Sequence, residues 1–365
     1  MQSKELTEPA SGPLQAADMR RPATLVDVAF AAKVSIATAS RAINGRRYVS
    51  DDTRAQVLRA AEQLNFRPSS LARGFRAQRS QTVGMIVPDI SSPFYAAALR
   101  GAQHVLSRQG YTVLVCDTEE QPQREREALD LLTGQRVAGL ILAPVASDHA
   151  NLRQVLARQP MALVAIDNRL EGRPTDTVLV DNVEGARTLT AHLLEHGHRR
   201  IGHISGILSE TSGADRLIGY QQALADADID FDARLVAEGD WSEAGGYAQA
   251  MRLLDTANPP TAIVIASSLM AVGTLLALRE RNIPVPGSIA VACFDDAPWA
   301  PLIEPSLTAL CRQDYALGAA AAELILVQLG AKTPRTEREH RLPMTLVVRR
   351  SCGCNGEISP LTQPA

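Results

Sequence analysis

From Thr82 onward the chain repeats one short pattern, an apolar β-rich run, then a polar turn, then a longer stretch with helical spacing. That alternation is the strongest constraint on the fold. A strand buried on both faces is continuous apolar sequence, and each crossover to a parallel neighbour needs a covering helix. Val83 to Val87, Tyr111 to Cys116, Gly139 to Ala143, Ala162 to Ile166, Ile201 to Ser205, Ala262 to Ala266 and Ile289 to Phe294 read as such strands. Repeated βα units in this number predict two doubly wound parallel sheets, an α/β body of two lobes. With 365 residues, 45% of them hydrophobic, the chain has material for that body and one further domain.

The longest apolar runs, such as Val137 to Ala146, stop near ten residues, whereas a membrane-spanning helix needs about 20. The first residues mix acids with prolines and hold no continuous apolar segment, so no secretory signal is expected and the cytoplasm is the expected location. The five cysteines read as reduced thiols. Cys352 and Cys354 alone lie close together, and a metal role for them would require two further ligands. His192, His196, His198 and His203 crowd another region, with the first two at helical i, i+4 spacing that could hold zinc. No Glu follows His192 directly, and neither a metal nor a cofactor is expected. A nucleophile elbow, a P-loop and a dinucleotide fingerprint are all missing, so the reading is of a protein without enzymatic activity.

Charge is distributed unevenly. Between Arg20 and Arg79 twelve basic residues face four acidic ones, a surplus of eight, so the remainder of a chain with net charge −3 carries −11. A basic head on an acidic body points to a segment that meets a polyanion. Residues 1–21 are polar, contain prolines and read as a disordered tail. Leu25, Val28, Ala29 and Ala32 then recur at helical spacing behind Thr24 as a cap; Ser35 can cap a second helix running to about Asn44. Ser50 precedes a third helix with Val57, Ala60, Ala61 and Leu64 on one face. Three short helices, the first two joined by a tight turn, make a helix-turn-helix unit over 22–67.

The stretches Leu25-Val26-Asp27-Val28-Ala29, Val34-Ser35-Ile36-Ala37-Thr38-Ala39-Ser40-Arg41, Asn44-Gly45, Val49-Ser50, Thr53-Arg54, Arg67-Pro68 and Ala72-Arg73 resemble the lactose-repressor/purine-repressor family of bacterial transcription regulators. The resemblance runs on through almost the whole chain. It implies a helix-turn-helix head, a hinge helix at 68–80, a two-lobed body at 81–353 resembling periplasmic sugar-binding proteins, and a tail at 354–365.

On the second helix, Ile36 and Ala37 occupy the exposed N-terminal end, with Ser40 and Arg41 one turn later on the same side. Arg41 can pair bidentately with guanine, whereas Ile36 and Ala37 offer only apolar contact. The family's specificity positions matching Ile36 and Ala37 often carry polar side chains, so a different operator code is expected. Ser35, Thr38, Ser40, Asn44 and Tyr48 are candidates for phosphate contacts, with helix capping or solvent exposure the other reading for Thr38 and Ser40. Arg73 and Phe75 fall in the hinge segment, which in the family folds on DNA and inserts an apolar wedge into the minor groove. Phe75 stands where the family has leucine, and packing back on the body is the alternative.

Ligands of doubly wound sheets bind at the carboxyl ends of strands. Asp89, then Asp167 and Arg169, follow two of the predicted strands. The resemblance adds Phe94 and Tyr95 as aromatic contacts, Arg216 as an effector contact, and Asp295 as the first acid of an effector-binding motif. Ser267 and Ser268 stand where the family often has Asn-Asp. Trp299 is either a pocket wall or core, and Asp295 with Arg216 either hold ligand or form a lobe-closing ion pair. Acids, arginines and aromatic rings together suit a polyhydroxylated ligand. The expected protein is therefore a homodimer on palindromic operator DNA, switched by a sugar or sugar-derived effector. A soluble sugar-binding module or transport receptor is the alternative, which the basic head disfavours.

Overall fold

A computed structural model describes residues 23–43, 49–66, 80–145, 161–170, 175–331 and 338–354. Contacts divide the chain between Arg79 and Ser80 into two units.

The first unit contains α1 (Leu25–Ala31), α2 (Ile36–Ile43) and α3 (Asp51–Gln63). Thr24 and Asp27 form a reciprocal capping box at the start of α1. Ser35 Oγ accepts the Thr38 amide at 3.1 Å and caps α2, and Ser50 caps α3 in the same way. Lys33, at φ 48°, makes the sharp turn between α1 and α2. The core is small and built mainly of alanine and valine: Val28, Ala29, Ala32, Ala39, Ala42, Val57, Ala60 and Ala61. Short side chains let three short helices approach closely. Leu64, expected on the inner face of α3, is exposed as the helix's C-cap.

The second unit has two lobes. In the first, β1 (Thr82–Val87), β2 (Thr112–Asp117), β3 (Gly139–Leu142), β4 (Ala162–Ile166) and β5 (Asp176–Val180) are accompanied by α4 (Pro93–Arg108) and α5 (Pro122–Gly134). The second lobe comprises α6 (Asn182–Glu195), β6 (Ile201–Ser205), α7 (Thr211–Asp226), β7 (Val236–Glu238), α8 (Glu243–Leu254), β8 (Ala262–Ile265), α9 (Ser268–Glu280), β9 (Ala290–Cys293) and β10 (Thr308–Cys311). The chain then returns as α10 (Asp314–Gly330) and β11 (Glu339–Leu342), and ends with β12 (Thr345–Val347).

One sheet has the order β11-β5-β4-β3-β1-β2, with every pair parallel. The other has the order β12-β10-β9-β8-β6-β7, antiparallel only between β10 and β12. The chain thus passes between lobes three times, after β5, after β10 and after β11. α10 belongs to the first lobe: Leu317, Ala321, Ala322 and Ile325 complete the core made by Val83, Met85, Ala98, Leu106 and Ile166. It lies tight against α4, since a Cβ on Gly318 would fall 1.7 Å from the Ala98 carbonyl oxygen. No described helix is long and apolar enough to cross a membrane.

Candidate ligand pocket and candidate DNA-reading helix

The carboxyl ends of strands from both sheets surround a cavity of about 520 Å³, part of it open to solvent. The sequence-predicted Asp89, Phe94, Tyr95, Asp167, Arg216, Ser267 and Asp295 all line it. Pro93 starts α4 and sets Phe94 and Tyr95 in its first turn, both buried, with ring centroids 4.7 Å apart. The Tyr95 hydroxyl donates to Asp167 Oδ2 at 2.8 Å. Burial and the Asp167 carboxylate push the Tyr95 phenol well above its ordinary range, so it remains a donor.

Arg216 is buried between rings, its guanidinium 3.9 Å from the centroid of Phe294 and 5.1 Å from that of Trp241. Its Nε donates to Asn182 Oδ1 at 2.9 Å and its Nη1 to the Ala266 carbonyl. Asp295 Oδ2 accepts the Ser268 amide at 3.1 Å, while Oδ1 lies 3.1 Å from Arg312. The ion-pair partner of Asp295 is thus Arg312 rather than Arg216. Arg312 sits on the second crossing between lobes, 4.1 Å over the Phe94 ring, and also pairs with Asp314.

Two expected residues lie elsewhere. Trp299 packs, half-buried, against the core of the second lobe, and Trp241 supplies the pocket wall instead, with Nε1 donating to Glu210 Oε2 at 2.9 Å. Arg169 is held by Glu339 at 2.9 Å and by Asp215 at 3.6 Å, off the pocket lining. It works across the lobes: its amide donates to Thr211 Oγ1, and the neighbouring Asn168 Oδ1 accepts the Ser212 amide, both at 3.0 Å. Asp181 caps α6 as its position suggests.

Strain concentrates here. Glu120, Asp167 and Trp241 all line the pocket with φ of 55°, 65° and 65°, conformations costing a non-glycine residue about 1–3 kcal/mol each. Asp167 Oδ1 and Glu120 Oε2 are buried without a hydrogen-bond partner among the described residues. Such atoms are normally satisfied, so they mark polar groups that a ligand's hydrogen-bonding groups could meet.

Burial first, then the carboxylates of Glu210, Asp167, Asp89 and Asp117, push the Glu120 carboxyl from 4.5 up to about 8. Folded Glu120 keeps a proton that the unfolded chain has already lost, so its stabilising share is complete below pH 4.5 and disappears as pH rises through about 8. Glu125, pushed to about 7 by burial, acts with the same sign. The ligand-free protein is therefore expected to lose stability between about pH 5 and pH 8, Glu120 contributing at most about 1.4 kcal/mol per pH unit. Thermal melts across this range should show a shallower slope for Glu120→Gln. An unchanged slope counts against a protonated Glu120.

In the other unit, α2 turns Ala39 and Ala42 into the core and leaves Ser35, Ile36, Ala37 and Arg41 exposed, with Thr38 and Ser40 at the margin. Ser35 and Thr38 also share a hydrogen bond between their hydroxyls at 2.8 Å. The outer face of α2 with its cap thus offers two apolar side chains, three hydroxyls and one arginine. Asn44, Tyr48, Arg73 and Phe75 lie outside the described residues.

Sequence reasoning missed Glu120, Glu210, Trp241 and Arg312. The strand-end rule, applied to β2 as well, would have reached Glu120, whereas Trp241 follows β7, a strand of three residues with no readable period. Glu210 heads α7 just beyond β6 and could have been found similarly. Arg312 follows β10 directly, but that four-residue strand was not read from the sequence.

Profile comparison matches residues 24–69 to "Bacterial regulatory proteins, lacI family" and residues 190–352 to "Periplasmic binding protein-like domain". The HTH-type transcriptional repressor PurR of Haemophilus influenzae (strain PittEE) is 31% identical over 333 residues, covering 90% of this chain and 98% of that protein. Among solved structures, a complex of the transcriptional regulator CelR with cellobiose is 32% identical with a TM-score of 0.70, covering 90% of this chain and 99% of that one. The Lac repressor dimer bound to operator and the anti-inducer ONPF is 27% identical with a TM-score of 0.80, covering 91% and 99%.

Proposed function

The chain belongs to the lacI family of bacterial regulatory proteins and is a DNA-binding transcriptional regulator answering a small effector; from that premise we propose that it is a homodimeric repressor of carbohydrate-metabolism genes, released from a palindromic operator by a neutral sugar or sugar derivative. The pocket's donor and acceptor balance carries the choice of ligand. Four carboxylates, on Asp89, Asp167, Glu210 and Asp295, and the protonated carboxyl of Glu120 share the lining with two guanidinium groups, on Arg216 and Arg312. An excess of acceptors suits the many hydroxyl donors of a sugar. It repels phosphorylated ligands, and a purine base has too few N–H groups to use it. Phe94 and Trp241 supply flat apolar surfaces for a ring face.

In the head, Ile36, Ala37 and Arg41 read base edges in the major groove, while Ser35, Thr38, Ser40, Asn44 and Tyr48 hold phosphates and set register. Arg73 and Phe75 engage the minor groove between half-sites. Two-fold related α2 helices double the site read, which is the reason for a dimer on a palindrome. In the body, Asp167, Arg216 and Asp295 bind effector between the lobes. The Asn168 and Arg169 contacts onto α7 set how far the lobes close.

Genome-wide selection of bound fragments, followed by calorimetry of the purified chain against neutral sugars, sugar phosphates and purines, tests this reading. The expected outcome is a palindromic site and a neutral sugar that lowers operator affinity. A purine or sugar phosphate as best binder, or a monomer binding half-sites at full affinity, would refute it.

A further inference from the structure

Sequence alone leaves two pairs of soft donors each short of a metal site, and the fold brings the pairs together. His192 lies in the last turn of α6 and His196 is the C-cap one turn further, their ring centroids 4.5 Å apart. Beyond β12 the chain turns back at Cys352-Gly353-Cys354, where Gly353 adopts φ 85°. The turn sets the two sulfurs 2.9 Å apart, longer than the about 2.05 Å of a disulfide bond, with both thiols free. Cys354 Sγ lies 3.3 Å from His192 Nε2. Donor atoms of His192, His196 and Cys354 all fall within 4.8 Å of one another. Small rotamer changes bring that spread to the about 3.6 Å between ligands of a tetrahedral zinc ion.

From this juxtaposition we infer a zinc site, held by His192, His196 and Cys354 with Cys352 as fourth ligand, that ties the C-terminal turn to the end of α6. The donor set decides the metal: two imidazoles and two thiols suit zinc and are poor ligands for magnesium or calcium. Supporting groups are in place around it. His196 Nδ1 is 2.7 Å from the His192 carbonyl oxygen, which can only accept, so Nδ1 carries the proton and Nε2 keeps its lone pair. The Thr308 hydroxyl donates to Cys352 Sγ at 3.2 Å, an interaction that favours the thiolate a metal needs. The site is half open, with His192 and Cys352 buried and His196 exposed, so an ion can reach it from solvent. It involves none of the pocket residues, and its ligands all belong to the second lobe or to the segment packed on it.

The test uses the full chain, reduced and stripped with a chelator, then titrated with cobalt(II). One equivalent should produce a near-ultraviolet thiolate-to-cobalt charge-transfer band and tetrahedral visible bands, and zinc should displace both. Zinc should also raise the melting temperature of the stripped chain. Cys354→Ser and His192→Ala should lose the charge-transfer band or weaken binding by roughly 100-fold or more, while Cys311→Ser keeps both. His196→Ala, at an exposed position, covers the case in which a buried substitution fails to fold, and it too should weaken binding. A reduced chain with no thiolate-cobalt band overturns the inference. So does a cobalt affinity left unchanged by both Cys354→Ser and His196→Ala, or a Cys352–Cys354 disulfide whose reduction restores no metal binding.

Discussion

Replacing Arg216 by alanine is expected to leave a regulator that still holds its operator but no longer responds to effector. The guanidinium is buried and stacked on Phe294, and burial holds its pKa below the usual arginine value. It is one of two positive charges lining an acidic pocket. Alanine removes that charge and leaves Asn182 Oδ1 and the Ala266 carbonyl without their donor. Losing a buried charged partner typically costs about 2–4 kcal/mol, so effector affinity should fall roughly 30- to 1,000-fold. Operator affinity without effector should change less than about threefold, because linkage makes only the coupling between sites disappear. Arg216→Lys, which keeps the charge but loses the fork and the stacking, should lie in between. Calorimetry with the best-binding sugar and operator titrations with and without it measure both quantities. A wild-type response in Arg216→Ala would mean that effector binds elsewhere.

The second large effect belongs to Arg41. Its side chain projects from the last turn of α2, on the face opposite Ala39 and Ala42, so Arg41→Ala leaves the head's core untouched. Loss of a bidentate base contact should cost about 1–3 kcal/mol, or roughly 5- to 150-fold in operator affinity. The loss should be confined to one base pair of each half-site, and binding to random DNA should weaken far less. Affinities for operators substituted at every position give the answer. Equal losses on operator and random sequence would make Arg41 a phosphate contact.

How much of this was legible in the sequence depended on how far each feature relies on its neighbours in the chain. Six of the seven strands read from the sequence are covered on both faces and so are continuous apolar runs, as in Gly139–Leu142 and Ala262–Ile265, whereas β2, read as buried from its apolar residues, is a half-exposed edge strand. β11 could not be read, since Glu339-His340-Arg341-Leu342 is a largely exposed edge strand with Leu342 alone to signal it. β7 and β12 are three residues each, too short for any period. The pocket followed the same division. Asp89, Asp167 and Asp295 stand at the ends of recognisable strands, whereas Arg312 follows β10, a short strand that was not recognised. The choice between Trp299 and Trp241 likewise rested on which turn faces the cleft. Both halves of the His-Cys cluster were visible as motifs, but the pairing of residues 192 and 354 is tertiary.

The return of the chain to its first lobe has a consequence for synthesis. Residues up to Val180 emerge from the ribosome with the five strands and two helices of that lobe found among the described residues, yet Leu317, Ala321, Ala322 and Ile325 of α10, which close its core, come only after the entire β6–β10 series. The second lobe can assemble while the first still presents Val83, Met85 and Ile166 unsealed. A nascent chain of this kind holds an open apolar surface through the making of a whole lobe, the circumstance in which holdase chaperones bind. Truncation anywhere before Asp314 makes that passing state permanent.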